Sequence, residues 1–492
     1  MKRRDFLAAS GAALSMPFLA RGAFAAVGGR ALPIPPLVET GADQTLLTAA
    51  PGQSAFLDGA MTPSWGYAQA FLGPTLRMKR GQTARMRLEN RLDFAVTSHW
   101  HGLHVPGRDD GGPMLEVAKG EAWAPDLEID QPASTQWYHS HSHGITAEQV
   151  YGGLAGMIQI VDPEAAASGL PESYGVDDLP LIVQDRAFTD DGGFLYIKRG
   201  PALMHGFRGG EILVNGAIRP EASVPSGLVR LRLLNGSNAR IYHFSFEDGR
   251  GFHQVASEGG LLAAPVALQS LSLAPAQRAE IVVDFSDGRP VRLISGSDTN
   301  DPMAGGMMGG MMGGMLPPGP VEIEGRPGHF EVMRFAPDGQ PGKVAALPQT
   351  LPADAAPDFG EPVRRRRFEL SMMGGMGIGM GGHGGGMTIN GKPFKMGRID
   401  AEMRLGETER WTIIGDRMLH PFHVHATHFQ VLRNGGRQVD PALGLSDTVL
   451  VKGEAEILIR VNHAAGADIP FMYHCHILEH EDAGMMGNFT VS

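Results

Sequence analysis

The chain contains four His-x-His pairs and a single cysteine, and their spacing is typical of a metal-binding protein. The cysteine, Cys475, stands between His474 and His476 in the last pair. Successive side chains of an extended strand point to opposite faces, so these two imidazoles would face one way and the thiol the other. His480 follows five residues after the cysteine, and Met485 follows five residues later. A thiolate, imidazoles and a weak thioether are the ligands of copper sites that transfer electrons.

The four pairs are divided equally between the two halves of the chain. They are His99 and His101, His139 and His141, His423 and His425, and His474 and His476. On strands, both imidazoles of a pair share one face, and facing pairs would offer eight imidazoles to one cleft. This pattern predicts a cluster of copper ions. Because proline disrupts regular strand pairing, we expect Pro421 to free His420 to join Cys475 and His480 instead.

The rest of the sequence predicts the framework that positions these residues. Runs with alternating aliphatic side chains occur at 83–88, 228–234, 279–285 and 457–461, each bounded by turn-forming residues. Long amphipathic helical patterns are scarce. We therefore predict an all-β protein of sandwich domains. The predicted segments are a signal peptide (1–25), an N-terminal arm (26–45), a first domain (46–164), a second domain (176–336), a linker (337–362) and a third domain (363–492).

The first residues indicate export. Arg3 and Arg4 precede an apolar run from Leu7 to Ala20, and a small-residue cleavage motif ends at Ala25. We expect a twin-arginine signal and a periplasmic mature protein without a membrane span; an ordinary Sec signal is the alternative. One cysteine cannot form a disulfide within its own chain. The net charge of −11 and the lack of a basic stripe argue against nucleic acid as a partner.

Two segments, 301–320 and 371–387, combine methionine with many glycines. Glycine supplies no side chain for a core, so both segments are predicted to be surface loops. Thioethers are soft ligands that favour copper(I). The methionines are Met303, Met307, Met308, Met311, Met312 and Met315 in the first segment, and Met372, Met373, Met376, Met380 and Met387 in the second. Capture of copper(I) is therefore a hypothesis for these segments, and flexible filler or an oxidation sink is the alternative.

The histidine motifs resemble the four copper motifs of multicopper oxidases. They are His99-Trp100-His101-Gly102, Trp137-Tyr138-His139-Ser140-His141, His420-Pro421-Phe422-His423-Val424-His425, and His474-Cys475-His476 through Met485. The resemblance implies three cupredoxin-like Greek-key domains, four copper ions and reduction of dioxygen to water. Together with the export signal, Leu32-Pro33-Ile34-Pro35 and His143, it points to periplasmic cuprous oxidases of the copper-efflux type. Copper(I) and dioxygen are then the expected substrates of a monomer.

The resemblance also implies a role for each ligand. A type 1 copper would be held by His420, Cys475, His480 and Met485. A type 2 copper would be held by His99 and His423. A type 3 pair would be held by His101, His139 and His476 on one ion and by His141, His425 and His474 on the other.

Further residues match family positions around the coppers. Glu481 and Asp110 match acidic positions used for proton delivery, although Glu481 could be a solvated charge and Asp110 a turn cap. Asp416 and Met418 match substrate-copper residues, which Met372, Met373 or Met376 could complete; a turn residue and a core methionine are the alternatives. His104 stands where the efflux type usually has an acid. We expect no ligand role for His104, His143 or His428, and the second-domain histidines lack metal spacing.

Other functions compete with cuprous oxidation. A laccase-like oxidase of phenols or aromatic amines is the nearest alternative, although methionine-rich covers would hinder bulky organic molecules. Proteins of this fold that have lost copper serve as structural factors in cell division, but they lack the ligand set that this chain retains. A two-copper nitrite reductase would not need four His-x-His pairs. The efflux-type pattern places its methionine insert nearer the second segment, so the role of the 301–320 segment stays open.

Overall fold

The computed structural model describes residues 29–163, 168–298, 300, 316–355, 357–372 and 386–492. The predicted signal peptide, the methionines of the 301–320 segment, and Met373, Met376 and Met380 lie outside the described residues. Within the described ranges, no helix is both long enough and apolar enough to cross a membrane.

The first sandwich contains strands β1 to β9 and one helix. Its elements are β1 (Leu37–Glu39), β2 (Thr45–Ser54), β3 (Thr62–Tyr67), β4 (Thr75–Lys79), β5 (Thr83–Asn90), β6 (Ala122–Trp123), β7 (Asp126–Glu128), β8 (Ser134–His139), α1 (Thr146–Gly152) and β9 (Ala155–Val161). One sheet has the order β1-β4-β9-β8, and the other has the order β3-β2-β5-β6 with β7 on β5. Leu47 and Met86 from one sheet pack against Leu76 and Ile158 from the other, which makes one buried core.

The second sandwich contains β10 to β23. Its elements are β10 (Asp178–Phe188), β11 (Phe194–Leu195), α2 (Pro201–His205), β12 (Glu211–Val214), β13 (Ala217–Ile218), β14 (Glu221–Ser226), β15 (Leu228–Asn235), β16 (Tyr242–Phe246), β17 (Phe252–Ser257), β18 (Gly260–Leu268), β19 (Leu271–Leu273), β20 (Arg278–Asp284), β21 (Val291–Gly296), β22 (Glu322–Ile323) and β23 (Arg326–Pro341). The sheets have the orders β13-β12-β10-β15-β20-β17-β18 and β14-β23-β21-β16-β19, with β11 on β10 and β22 on β23.

The third sandwich contains β24 to β34. Its elements are β24 (Arg364–Ser371), β25 (Thr388–Ile389), β26 (Ala401–Met403), β27 (Thr408–Ile414), β28 (His420–Val424), β29 (Gln430–Asn434), β30 (Arg437–Gln438), β31 (Thr448–Val451), β32 (Glu454–Arg460), β33 (Phe471–Cys475), α3 (Leu478–Asp482) and β34 (Met486–Val491). The sheets have the orders β25-β24-β27-β32-β29-β30 and β26-β34-β33-β28-β31. The prediction of an all-β chain with three cupredoxin-like β-sandwich domains is confirmed.

A buried polar network joins the three sandwiches; we call it the three-domain junction (Gln136, Glu258, Arg278 and Asp447). Arg278 donates from Nη1 to Asp447 Oδ1 at 2.8 Å and also donates to Gln136 Oε1. The Glu258 carboxylate accepts the backbone N–H of Asp447 at 2.8 Å. Buried charges are tolerated when they are paired and hydrogen-bonded, so this network fixes how the domains meet.

Candidate metal centres

The eight imidazoles of the four pairs lie together between the first and third sandwiches, and all are buried. The His101 and His423 rings stack with centroids 3.7 Å apart, and those of His99 and His425 stack at 3.9 Å. Three of the pairs straddle the end of a strand, since β8 ends at His139, β28 at Val424 and β33 at Cys475, whereas His99 forms an isolated bridge with His139. Strand ends let both sandwiches direct side chains into one space.

Pro421 does not disrupt strand pairing, so the reason given for releasing His420 is wrong. His420 and Pro421 lie opposite Val451 and Leu450 in a regular antiparallel register. Pro421 lacks an N–H, but its carbonyl still accepts the N–H of His476 at 2.6 Å. His420 points away from the cluster because it is three residues from His423, and side chains an odd number apart on a strand face opposite ways.

Backbone carbonyl oxygens contact the Nδ1 atoms of four clustered imidazoles, one of which is His474, whose Nδ1 lies 3.1 Å from the Cys475 carbonyl oxygen. The Nδ1–H groups of His99, His139 and His423 donate to the carbonyls of Asp110, Ser140 and Asp447, each at 2.9 Å. Their Nε2 atoms are buried without a hydrogen-bond partner. A buried nitrogen left without a partner is costly, unless it binds a metal.

Three further imidazoles converge at their Nε2 atoms. His474 Nε2 lies 3.3 Å from His141 Nε2 and 3.2 Å from His425 Nε2. Nitrogen ligands about 2.0–2.1 Å from a tetrahedral ion stand roughly 3.3 Å apart, so this spacing matches ligands around one metal ion. His425 Nδ1 donates to Asp110 Oδ2 at 2.7 Å, which keeps its Nε2 facing the group.

His101 and His476 complete the cluster in other ways. The His101 ring has the opposite orientation to those of His99, His139 and His423. Its Nε2–H donates to Asp447 Oδ1 at 3.0 Å, which leaves Nδ1 without a partner. Both ring nitrogens of His476 are unpartnered. The rings of His101, His139 and His476 lie 5.2–5.7 Å apart. The ligand atoms of His99 lie near those of His423 and His425 and also near those of His101 and His139. The assignment of each imidazole to one copper ion is therefore still a prediction.

Two carboxylates contact the outer nitrogens of the cluster, and both are buried. Glu481 Oε2 lies 3.1 Å from His474 Nδ1, and Glu481 Oε1 lies 3.4 Å from His141 Nδ1. A solvated Glu481 is therefore excluded, and the Asp110 side chain bonds His425 rather than capping a turn. Burial raises the pKa of Asp110 well above its ordinary value. Burial would also raise the pKa of Glu481, but His141 and His474 outweigh it and lower that pKa.

A second centre lies on the other face of β33, around the Cys475 thiol. His420 Nδ1 lies 3.4 Å and His480 Nδ1 3.6 Å from Cys475 Sγ, and all three side chains are buried. Burial raises the pKa of the thiol, so a bound cation would be needed to hold the thiolate. Met485 is buried in the same core, and its carbonyl accepts the Cys475 N–H at 3.1 Å. This donor set fits copper.

The two centres are joined by the backbone of one strand. Cys475 contributes to the thiol site, while its neighbours His474 and His476 contribute to the histidine cluster. The alternation predicted from the sequence therefore appears in the structure as imidazoles on one side of a single segment and a thiol on the other.

The proposed substrate residues lie on the His420 side of the thiol site. Asp416 Oδ1 accepts His420 Nε2–H at 3.0 Å and the Met418 N–H at 3.0 Å. Asp416 Oδ2 accepts the Met372 N–H at 3.1 Å, and the Asp416 side chain is 26% exposed. Met418 is buried in the third-domain core, against which the partly buried Met372 also packs. Asp416 is therefore the accessible polar group of this set.

Sequence reasoning missed several residues that shape the site. Asp447 contacts His101 and His423, but it lies in none of the histidine motifs. Asn300 exchanges two hydrogen bonds with the backbone of Leu419, the residue before His420. The Met204 carbonyl accepts His480 Nε2–H at 3.1 Å. The contacts of Asp447 with His101, of Asn300 with Leu419 and of Met204 with His480 cross domains and leave no local signature.

The histidines expected to have no ligand role lie outside both centres. His104 Nε2 and His428 Nδ1 are hydrogen-bonded at 2.7 Å, and His143 is exposed. The His104–His428 pair lines a cavity of about 480 Å³ at the junction of the sandwiches, with His463 and Asp130 on its wall. Burial lowers the pKa of His104 to about 3.

Comparison with known proteins agrees with this geometry. Two family models, each described as multicopper oxidase, match residues 48–165 and 369–492. The cell division protein FtsP of Escherichia coli is 35% identical over 100% of this chain and 99% of its own length, and that of Yersinia pestis is 37% identical over 100% and 98%.

Solved structures give the same family. The laccase-like multicopper oxidase CueO of Ochrobactrum sp. is 40% identical with a TM-score of 0.82, covering 94% of this chain and 100% of its own. A Campylobacter jejuni multicopper oxidase described as a metallo-oxidase is 27% identical with a TM-score of 0.78, covering 94% and 95%. With its paired histidines and thiol site, the chain belongs to the multicopper oxidase family.

Proposed function

We propose that this protein is a periplasmic multicopper oxidase that oxidises four Cu(I) ions to Cu(II) and reduces one O2, with four protons, to two H2O. The observation that carries the proposal is that the buried imidazoles of the four pairs lie on one side of β33, while His420, Cys475 and His480 converge on the other. Copper bound at these sites would accept electrons singly beside Cys475 and deliver four of them to dioxygen at the histidine cluster. A structural protein would have no need of so many buried, unpartnered imidazole nitrogens.

The proposed ligands are those implied by the family motifs. The thiol site would use His420, Cys475, His480 and Met485, and the cluster would use the eight paired histidines. Four copper ions are proposed in all. The twin-arginine sequence at Arg3 and Arg4 supports export of the folded, metal-loaded protein.

The surroundings of the thiol site favour Cu(I) over organic reductants. His480 is buried and its Nε2–H is bonded to the Met204 carbonyl. His420 Nε2 instead meets Asp416, a partly exposed carboxylate that attracts cations. Burial would raise the pKa of Asp416, but its bonds to His420 and Met418 lower it, so the carboxylate is charged at neutral pH. The Asp416 carboxylate also accepts the backbone N–H groups of Met372 and Met418. Both residues carry a thioether, which is a soft ligand that favours Cu(I).

Protons would reach the cluster through carboxylates of the chain. Glu481 contacts His141 and His474, and Asp110 contacts His425. Asp110 Oδ1 and both Glu481 carboxylate oxygens are buried without a hydrogen-bond partner that meets normal geometry. Such atoms are suited to hold and release a proton near the reacting oxygen.

Oxygen uptake distinguishes the possible reductants. The copper-loaded protein is given Cu(I) held by a weak chelator, or a phenol without added copper, and oxygen consumption is recorded. We expect rapid uptake with Cu(I) and slow uptake with the phenol. Strong phenol turnover with negligible Cu(I) oxidation would contradict the proposal and favour a laccase-like oxidase.

A second candidate function follows from the names of the relatives that are 35–37% identical, which are called cell division protein FtsP. A role in division that does not use copper predicts that Cys475→Ser still restores normal division to a strain lacking the gene. Normal division but lost copper tolerance in the strain that lacks the gene, before any complementation, supports the oxidase. A copper-loaded preparation without strong visible absorption from a thiolate–copper bond would favour the second function.

A further inference from the structure

The two imidazoles of the thiol site meet different surfaces of the molecule. His420 Nε2 bonds the partly exposed Asp416 side chain of the third domain. His480 Nε2 bonds the backbone carbonyl of Met204, which belongs to α2 of the second domain. The second domain thus closes the thiol site on the His480 side.

The segment over His480 is packed against both domains. Leu203 packs on the third-domain core, and Ala202 is buried in a cluster with Tyr151, Phe207 and Leu316 of the first two sandwiches. Met204 is the exposed large hydrophobic side chain of this segment, at 38%, while its carbonyl faces inward. The contact that closes His480 is therefore made by backbone.

Gly206 shows how closely this segment approaches the thiol site. Its φ of 79° lies in the left-handed region. A Cβ there would be 2.2 Å from Ala239 Cβ and 2.8 Å from Ile477 Cγ2. Ile477 immediately precedes α3, which carries His480, so no organic molecule could slip between the two backbones.

An ion pair anchors the segment from behind. Arg208 Nε donates to Asp298 Oδ2 at 2.7 Å, and both side chains are buried. The same guanidinium donates to the carbonyls of His205, Gly206 (3.2 Å) and Ala239 (3.1 Å). Fixing three carbonyls with one buried cation holds α2 in one position.

We propose that residues 201–206 form a fixed cover that excludes organic reductants from His480 and leaves the Asp416–His420 side as the route for electrons. This inference rests on the proposed function and adds a specificity element in the second domain that does not depend on the methionines of the 301–320 and 371–387 segments. Electron transfer from an organic molecule needs close approach to a ligand edge, and the cover removes one of the two edges available.

The test begins with copper-free protein, in which Cys475 is the only thiol. The double variant Ala202→Gly, Leu203→Ala loosens α2 by removing its packing and its helix preference. Alkylation of Cys475 by iodoacetamide is followed by mass spectrometry. We expect at least a 10-fold faster rate than in the wild type, because the cover opens over the site.

Two controls isolate the cover. Lys198 lies on the exposed surface just before α2, so Lys198→Ala should leave the alkylation rate unchanged. Ile457→Val removes a methyl group from β32 in the third-domain core without changing α2, and should not accelerate alkylation to the same degree. If the double variant does not fold, Ala202→Gly alone is used, with at least a 3-fold faster rate expected.

The second readout uses copper-loaded protein. The loosened variant should gain at least 10-fold in kcat/KM for a phenol, while Cu(I) oxidation changes by less than about 2-fold. An unchanged alkylation rate would contradict the proposal that residues 201–206 cover His480. A faster alkylation rate without a gain in phenol oxidation by an active enzyme would also contradict it. A wild-type protein that oxidises neither reductant contradicts the proposed function instead, and alkylation of the copper-free variant still decides whether the cover exists.

Discussion

Replacing Arg278 with methionine should destabilise the copper-free protein by about 3–5 kcal/mol, because a buried carboxylate loses its cation. Arg278 and Asp447 are both fully buried, with Nη1 2.8 Å from Oδ1 and Nη2 2.6 Å from Oδ2. Arg278 Nη1 also lies 3.3 Å from Glu258 Oε1. Methionine fills much of the same volume but donates nothing, so two carboxylates would face each other without a positive charge.

The expected cost is large compared with typical total stabilities of about 5–15 kcal/mol. Arg278→Lys keeps a charge but loses the bidentate geometry, so an intermediate cost is expected. Arg367→Met is the matched control, since Arg367 and Glu369 form an exposed pair and such pairs contribute roughly 0–1 kcal/mol. Urea unfolding of the copper-free proteins, followed by tryptophan fluorescence, measures the differences.

The pH dependence gives an independent check. Burial would raise the pKa of Asp447, but Arg278 and His101 lower it well below its ordinary value. A lowered carboxyl pKa contributes stability above the unfolded pKa of about 3.9 and loses it as pH falls. The penalty of Arg278→Met should therefore be largest near neutral pH and shrink in acid. A penalty equal to that of Arg367→Met, or one that grows in acid, would refute the reasoning.

Three further predictions concern the two centres. Cys475→Ser should abolish the visible thiolate–copper absorption and turnover while circular dichroism stays unchanged; retention of either contradicts the ligand assignment. Asp416→Ala removes the acceptor of three N–H groups and a charge beside His420, so Cu(I) oxidation should fall roughly 10–100-fold. Phenol oxidation by Asp416→Ala should fall less. Met418→Leu should likewise lower Cu(I) oxidation more than phenol oxidation. Met61→Leu, at an exposed site, is the control and should change neither rate. Glu481→Gln should slow oxygen reduction by roughly 10²–10⁴-fold and leave the visible absorption intact; an unchanged rate would exclude a relay through Glu481.

Much of the site could be predicted because strand geometry is local. The alternation that places His474 and His476 opposite Cys475 follows from the two-residue period of an extended chain. The same rule, rather than Pro421, separates His420 from His423. The all-β fold class could be predicted from strand-like runs such as 83–88, which lies within β5, and 228–234, which lies within β15.

The residues that orient the ligands could not be predicted in the same way. Asp447 reaches His101 across 346 residues, and Met204 reaches His480 across 276. Such contacts depend on how separate sandwiches dock. The burial of Glu481 is likewise invisible in the sequence, where the run Glu479-His480-Glu481-Asp482 resembles a solvated acidic segment.

The sequence by itself determined which atoms can bind metal and which of them share a face, because backbone geometry fixes both within a few residues. Only the tertiary structure decided that imidazoles separated by 333 residues, such as those of His141 and His474, meet at 3.3 Å. It also decided which ring nitrogen of His101 and of His425 faces inward, because Asp447 and Asp110, which hold the other nitrogens, belong to a different sandwich from their histidines. Ligand identity is local, whereas convergence and ring orientation arise from the packing of three sandwiches.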